Sequence, residues 1–261
     1  MGVLNVTPDS FSDGGCFKSK DPAVAHGLAL FEAGADILDV GGESTRPNAD
    51  PVPPEEERNR VVPVIEALRA RGAGPISVDT TKSEVARAAL DAGADMVNDV
   101  SGFRFDPALR PLVAERGVPA VVMHLRGRFE TMHQEPHYDD VMGEVVSELG
   151  QVLEDCRADG IAQVIVDPGI GFAKNFRHSL EVIRRLPELA ALDRPVLAGP
   201  SRKSFIGKVL DVGVGDRLMG TAAAVAACIL GGAHIVRVHD VAEMMDVVRL
   251  SDAILSGGGA P

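Results

Sequence analysis

Eight short apolar runs alternate along the chain with longer segments of helical pattern, and this alternation restricts the fold more than any single motif does. The runs are Val3–Asn5, Ile37–Val40, Ile76–Asp79, Met96–Asp99, Ala120–His124, Val164–Asp167, Val196–Ala198 and Ile235–His239. Several are β-branched and short, as strands buried on both faces of a parallel sheet are. The predicted helices are Asp21–Ala33, Pro54–Ala70, Lys82–Ala92, Pro107–Arg116, Asp140–Asp159, Asn175–Leu189, Arg217–Leu230 and Ala242–Leu255. Eight βα units in 261 residues, with no second regime of composition, predict an α/β fold of the closed (β/α)8 type. One domain spanning residues 1–261 is expected rather than an open, doubly wound sheet. A weak repeat supports the count: Glu32-Ala33-Gly34-Ala35-Asp36, Asp91-Ala92-Gly93-Ala94-Asp95 and Gly231-Gly232-Ala233-His234 each stand just before a strand. These glycines suit the left-handed residue that ends a helix. The first strand starts at Val3, so no segment ahead of it is expected to cover the bottom of the barrel.

Composition narrows the partners. The net charge of −12 disfavours general nucleic-acid binding, which requires a basic footprint. It leaves room for a small acidic substrate in a local cationic pocket. Cys16, Cys156 and Cys228 form no CxxC or CxxH pair, so neither a zinc site nor a disulfide framework is expected. Reduced thiols point to the cytoplasm. The N-terminus lacks the basic start of a signal peptide. The longest apolar run, Ala222–Leu230, is about half the ~20 residues a membrane helix needs.

Nearly every strand ends in a polar residue: Asn5, Asp39, Asp79, Asn98, His124 and Asp167, then Ser201-Arg202-Lys203, Arg237 and His239. In a (β/α)8 barrel the strand C-termini meet on one face, and that face holds the active site. Packing alone calls for apolar residues there. Arg237 and His239 are two apart, so both are expected to point into the barrel mouth. Lys203, Arg237, His239 and Arg46 suit phosphate oxygens. Asp79, Asn98 and Asp167 suit the N–H-rich edge of a heterocycle, which a carboxylate grips in bidentate fashion. Asn5 offers a neutral oxygen to a Mg2+ ion whose other ligands are water and phosphate. Together these residues predict a ligand that joins a heterocycle to a phosphate or diphosphate. The long loops Thr7–Lys20 and Gly42–Pro54 have the length of lids. From composition alone, turn capping is the favoured reading of Asp9 and Asp13. Gly169-Ile170-Gly171 lacks the third glycine of a dinucleotide fingerprint, and Pro136 interrupts the His133/His137 pair. His124 also fits a supporting residue behind the site.

Read as strings, these motifs resemble the dihydropteroate synthase family. The resemblance lies in Asn5-Val6-Thr7-Pro8-Asp9-Ser10-Phe11-Ser12-Asp13-Gly14-Gly15 and in Asp39-Val40-Gly41-Gly42-Glu43-Ser44-Thr45-Arg46-Pro47. It continues through Ile76-Ser77-Val78-Asp79-Thr80, Asn98-Asp99, Met123-His124, Asp167-Pro168-Gly169-Ile170-Gly171-Phe172, Ser201-Arg202-Lys203-Ser204 and Arg237-Val238-His239-Asp240. The resemblance implies a TIM barrel, a homodimer, and condensation of p-aminobenzoate with 6-hydroxymethyl-7,8-dihydropterin diphosphate in the presence of Mg2+. It also implies roles for single residues. Asp79, Asn98, Asp167 and Lys203 would hold the pterin, with Asp79, Asp167 and Lys203 also catalytic. Thr45, Arg237 and His239 would hold the diphosphate, and Asn5 the metal. Arg46, Pro47, Phe172 and Ser201 would shape the p-aminobenzoate site, with Phe11 and the catalytic Asp13 on the closing first loop. Arg126 departs from the family pattern and is expected to add charge near the pterin. Two other readings stand beside this one: a pterin-binding barrel that transfers a methyl group, and a paralogue that binds a pterin without condensing it. Arg237, His239 and the Thr7–Gly15 string count against the first of these.

Overall fold

A computed structural model describes residues 1–6, 20–44, 50–129, 131–132 and 136–257. The strands are β1 (Gly2–Asn5), β2 (Leu38–Gly41), β3 (Ile76–Asp79), β4 (Met96–Asp99), β5 (Ala120–Met123), β6 (Val164–Asp167), β7 (Leu197–Ala198) and β8 (Ile235–Val236). β1 to β6 form one parallel sheet in chain order, and β7 pairs with β8 in parallel. Single bridges join these two groups into a closed barrel: Val166 to Val196, and Gly2 to Val238. At the seam, the Val3 amide donates to the Val238 carbonyl at 3.0 Å, and the Val238 amide to the Met1 carbonyl at 3.0 Å.

Helices α1 (Lys20–Glu32), α2 (Pro54–Ala70), α3 (Ser83–Asp91), α4 (Leu109–Arg116), α5 (Val141–Ala158), α6 (Phe176–Arg184), α7 (Ser204–Leu210), α8 (Leu218–Leu230) and α9 (Val241–Leu255) complete the βα units. Two apolar layers hold them. Leu4, Leu38, Ile76, Val78 and Val97 face outward into the helices, against Ile65, Leu68 and Val85 among others. Inside the barrel lie Met96, Val121 and Leu197, with Ile37, Ile165 and Ile235 packed on them. The strand residues therefore alternate between two apolar environments, which is why the runs carry so few polar residues before their ends. The repeated glycines behave as expected: Gly34 and Gly93 lie at φ of 107° and 109°, where a side chain would be strained.

The elements depart from expectation in three places. The predicted helix Asn175–Leu189 divides into α6 and a 3-10 turn, Leu186–Leu192. Pro187 disfavours α geometry at Leu186 and has no amide to donate. α7 is not among the eight helices predicted from pattern: seven residues make two turns, too few for a hydrophobic period to show. β8 pairs only over Ile235–Val236, and beyond it Val238 alone makes the bridge to β1.

Candidate active site at the strand C-termini

Pleating brings the site together. Five apolar residues inside the barrel are each followed, two places later, by a residue that lines one pocket at its mouth. Met96 is followed by Asn98, Val121 by Met123, Ile165 by Asp167, Leu197 by Gly199 and Ile235 by Arg237. Asp79 comes from β3, and Val100, Ile170, Phe172 and Lys203 come from the loops after β4, β6 and β7. Six of the predicted residues thus meet at one place: Asp79, Asn98, Asp167, Phe172, Lys203 and Arg237. A second hollow, lined by Arg157, Ile161, Val164 and Arg194, lies at the N-terminal ends of β6 and β7 and contains none of them.

The floor of the pocket is a charge network. Arg237 Nε donates to Asp39 Oδ2 at 2.6 Å, and its Nη2 to Asp79 Oδ2 at 2.8 Å. Asn98 Nδ2 donates to the same Asp39 oxygen at 2.9 Å. Asp39 is fully buried, and its Oδ1 has no hydrogen-bond partner among the described residues. Asp39, a strand-end residue with no role expected from sequence, anchors two residues that line the pocket. Arg237, expected to present its charge to phosphate at the barrel mouth, is engaged there between two carboxylates. Burial, with Asp39 next, pushes the Asp79 carboxyl up to about 7, while Arg237 opposes the shift. Burial also raises Asp167, against the pull of the Gly169 amide and of Lys203. Lys203 is pushed down to about 8 by burial and then by Arg237, and its ammonium lies 3.9 Å from the centre of the Phe172 ring.

Ser201 and His239 form a pair beside the pocket. Ser201 Oγ accepts from the His239 amide at 3.2 Å and lies 3.0 Å from Nδ1 of its ring. His239 is not the resident cation that the strand pattern suggested. Burial, then Arg237 and Arg202, lower its pKa to about 4, so the ring is neutral near pH 7. Asn5 ends β1 in register with Gly41, which is in register with Asp79. Thr45, Arg46, Pro47, Phe11 and Asp13 lie outside the described residues.

The supporting role open to His124 is the one it takes, and the expectation for Arg126 changes. At the end of β5 the pocket residue is Met123, not His124. Neighbours on a strand face opposite ways, so His124 turns toward α5 and meets Glu148 at 3.0 Å. Arg126 adds no charge to the pocket: it donates to Glu148 at 2.9 Å and to Glu144 at 2.6 Å. The reading also missed Val100, Met123, Ile170 and Gly199 as lining residues. Counting two places on from the apolar interior residues would have found Met123 and Gly199.

The second long loop is tied at its described ends. The Val52 amide donates to Glu43 Oε1 at 2.7 Å, and Lys82 Nζ donates to Glu43 Oε2 at 2.9 Å and also to Glu57. Glu57 is fully buried, and burial raises its pKa against the pull of Lys82. Replacing Lys82 with Met leaves that carboxylate without its cation, and a stability loss of about 3 kcal/mol is expected from urea unfolding. Unfolding midpoints equal to wild type would show that the cluster contributes nothing.

Comparison with known proteins agrees with this geometry. A family profile described as pterin binding enzyme matches residues 1–239. The dihydropteroate synthase of Synechocystis sp. is 48% identical over 257 residues, which span 97% of this chain and 89% of that protein. Among solved structures, the dihydropteroate synthase of Xanthomonas albilineans with 4-aminobenzoic acid superposes with a TM-score of 0.91 at 46% identity, covering 100% of this chain and 93% of that one. The same enzyme in complex with 7,8-dihydropteroate superposes with a TM-score of 0.88 at 44% identity, covering 100% and 94%.

Proposed function

As the chain belongs to the dihydropteroate synthase family of pterin binding enzymes, we infer that it condenses p-aminobenzoate with 6-hydroxymethyl-7,8-dihydropterin diphosphate to give 7,8-dihydropteroate and pyrophosphate. The observation that carries this reading is the convergence of Asp79, Asn98, Asp167 and Lys203 on one pocket with Arg237 in its floor. The reaction forms a bond from the p-aminobenzoate nitrogen to the exocyclic carbon of the pterin. It breaks the bond from that carbon to the diphosphate oxygen, the electron pair leaves with pyrophosphate, and the amine loses a proton.

Positive charge builds on the pterin as the leaving group departs. Asp79 and Asp167 face that charge, and their carboxylates stabilise it more in the transition state than in the substrate. Asn98 and Lys203 complete the pterin grip. Arg237, His239 and Thr45 hold the diphosphate. An arriving diphosphate favours a protonated His239, which burial keeps neutral in the free protein. The aromatic amine is of low basicity and needs no strong base. Arg46, Pro47, Phe172 and Ser201 are assigned to its site, together with Phe11 and Asp13.

Mg2+ fits the one protein ligand proposed for it. Asn5 is half-buried at the end of β1, and its side chain makes no hydrogen bond to another described residue. Among the described residues no cluster of three or more His, Cys, Asp or Glu is placed to hold a metal. Asn5 would be the protein's oxygen ligand to such an ion, with water and diphosphate supplying the rest. The ion, when bound, offsets charge on the leaving group.

The reading also takes residues 1–261 as one domain, a homodimer as the assembly and the cytoplasm as the compartment. Apolar surface for a dimer is present: Val209, Leu210, Val214, Leu218 and Met219 are all exposed along one segment. Cys156 and Cys228 are free and buried, in accord with a reducing compartment. Among the described residues, no helix is long and apolar enough to cross a membrane.

Pyrophosphate release tests the assignment. It is expected only when protein, pterin diphosphate, p-aminobenzoate and Mg2+ are all present, and no release by folded protein overturns it. In the same assay Lys203→Ala is expected to weaken pterin diphosphate binding and to slow turnover by about 100-fold. An unchanged rate would remove Lys203 from the site.

A further inference from the structure

Lys174 lies outside the pocket, is only 4% exposed, and has no role in the reaction described above. A buried ammonium is costly, and a methionine would fill similar space without that cost. What the ammonium supplies is hydrogen-bond donation. Its Nζ donates to the carbonyl of Phe172 at 3.2 Å and lies 2.9 Å from Nδ1 of His124. On the far side of the imidazole, Nε2 meets Glu148 Oε2 at 3.0 Å, and Glu148 is held in turn by Arg126.

The protonation states make this chain directional. Burial and the charge of Lys174 lower the His124 pKa to about 4, so the ring is neutral. One tautomer satisfies both neighbours: Nε2–H donates to the Glu148 carboxylate, and Nδ1 accepts from Lys174. Burial lowers Lys174 to about 7, opposed first by Asp167. A neutral amine still has donors for both Phe172 and His124, so the contact survives either state.

The segment that Lys174 holds is the pterin-facing turn itself. After Asp167 the chain takes positive φ at Gly169 (69°), Gly171 (81°) and Ala173 (47°), so no regular ladder secures it. Specific contacts do so instead. The Gly169 amide donates to Asp167 Oδ1 at 2.7 Å, the Phe172 amide to the Gly169 carbonyl at 3.0 Å, and the Tyr138 hydroxyl to the Ala173 carbonyl at 2.9 Å. The turn presses so closely on the end of β5 that a Cβ at Gly169 would run into the His124 carbonyl oxygen. Phe172, whose carbonyl Lys174 holds, is the residue whose ring covers Lys203.

We propose that Lys174 is a positioning residue for pterin binding: braced through His124 on Glu148, it fixes the Phe172 backbone so that the Phe172 ring stays against Lys203. The proposal rests on the pterin reading of the pocket. It is tested by calorimetric titration of 6-hydroxymethyl-7,8-dihydropterin diphosphate into wild type, Lys174→Met, Phe172→Ala and the double variant. Lys174→Met is expected to raise Kd about 10-fold, the scale of one lost hydrogen bond to a charged group. Partial misfolding lowers the number of binding sites and leaves Kd alone, so Kd separates positioning from bulk stability. Because Lys174 acts through Phe172, the double variant is expected to bind no more weakly than Phe172→Ala alone. A Kd for Lys174→Met equal to wild type, or single effects that simply multiply in the double variant, overturns the proposal. Wild type that binds no pterin diphosphate overturns the pterin reading itself, a separate outcome. Should Lys174→Met not fold, Glu148→Ala at the half-buried outer end reads the same chain; a rise in Kd of about 3-fold is expected, and no rise overturns the proposal.

Discussion

Replacing Arg237 with Met is expected to abolish measurable turnover and to weaken the fold in the same step. The guanidinium is the shared partner of Asp39 and Asp79, and Asp39 is fully buried with one oxygen that has no hydrogen-bond partner among the described residues. Breaking a buried pair by removing one partner leaves a charge with nothing to offset it, at a cost of about 3 kcal/mol. The loss depends on pH, with a definite sign. The Asp79 carboxyl titrates near 7 in the folded protein, far above the ordinary carboxylate range, and without Arg237 it rises further. A carboxyl raised on folding binds a proton that the unfolded chain has already released. Its contribution to stability therefore falls as pH rises through that window. Urea unfolding at about pH 6 and at about pH 8 should find the variant more destabilised at the higher value. Turnover falls for two reasons: Asp79 loses the cation that favours its ionised form, and the diphosphate loses a ligand. A reduction in kcat/KM of at least about 1000-fold is expected. A variant as stable as wild type at pH 8 would show that Arg237 does not neutralise the floor.

Asp79→Asn should divide activity from stability. The amide keeps the shape and a hydrogen-bond acceptor, Arg237 keeps its bond to Asp39, and the repulsion between Asp39 and Asp79 disappears. Folding is thus expected to be unharmed. The chemistry loses a fixed negative charge facing the pterin, and turnover is expected to fall about 100-fold to 1000-fold. The pH profile gives a second readout. Wild-type kcat/KM, which reports the free enzyme, should lose activity as pH falls through about 7, because Asp79 takes up a proton there. The limb in kcat should lie at lower pH, since a bound pterin cation favours the carboxylate. Both limbs should be absent in Asp79→Asn. Turnover within 10-fold of wild type would remove Asp79 from the transition state.

The barrel was legible because strands and helices leave periodic marks. β3, β4 and β6 fall on their predicted residues, and α2 runs over Pro54–Ala70 as read. The place of the site was legible for a related reason: polar residues at the ends of otherwise apolar strands have no packing role, and in this topology the strand ends converge. Illegible features depended on short elements or on orientation. α7 is two turns long and leaves no period. At the end of β5, Met123 and His124 are equally plausible pocket residues until the face of the strand is known.

The eight βα units, and Asp79, Asn98, Asp167, Lys203 and Arg237 as polar residues gathered at the strand ends, are thus readable along the chain, because each follows from composition and period in a local stretch. Only the tertiary structure decided how those residues are charged and partnered. Arg237 is 198 residues from Asp39 and 158 from Asp79, yet it hydrogen-bonds to both. His239 reads as a cation in the chain and is neutral in the fold. Lys174 lies in no predicted element and is buried behind the site. The state of an ionisable group is set by desolvation and by charges a few ångströms away, and barrel closure draws both from the whole length of the chain.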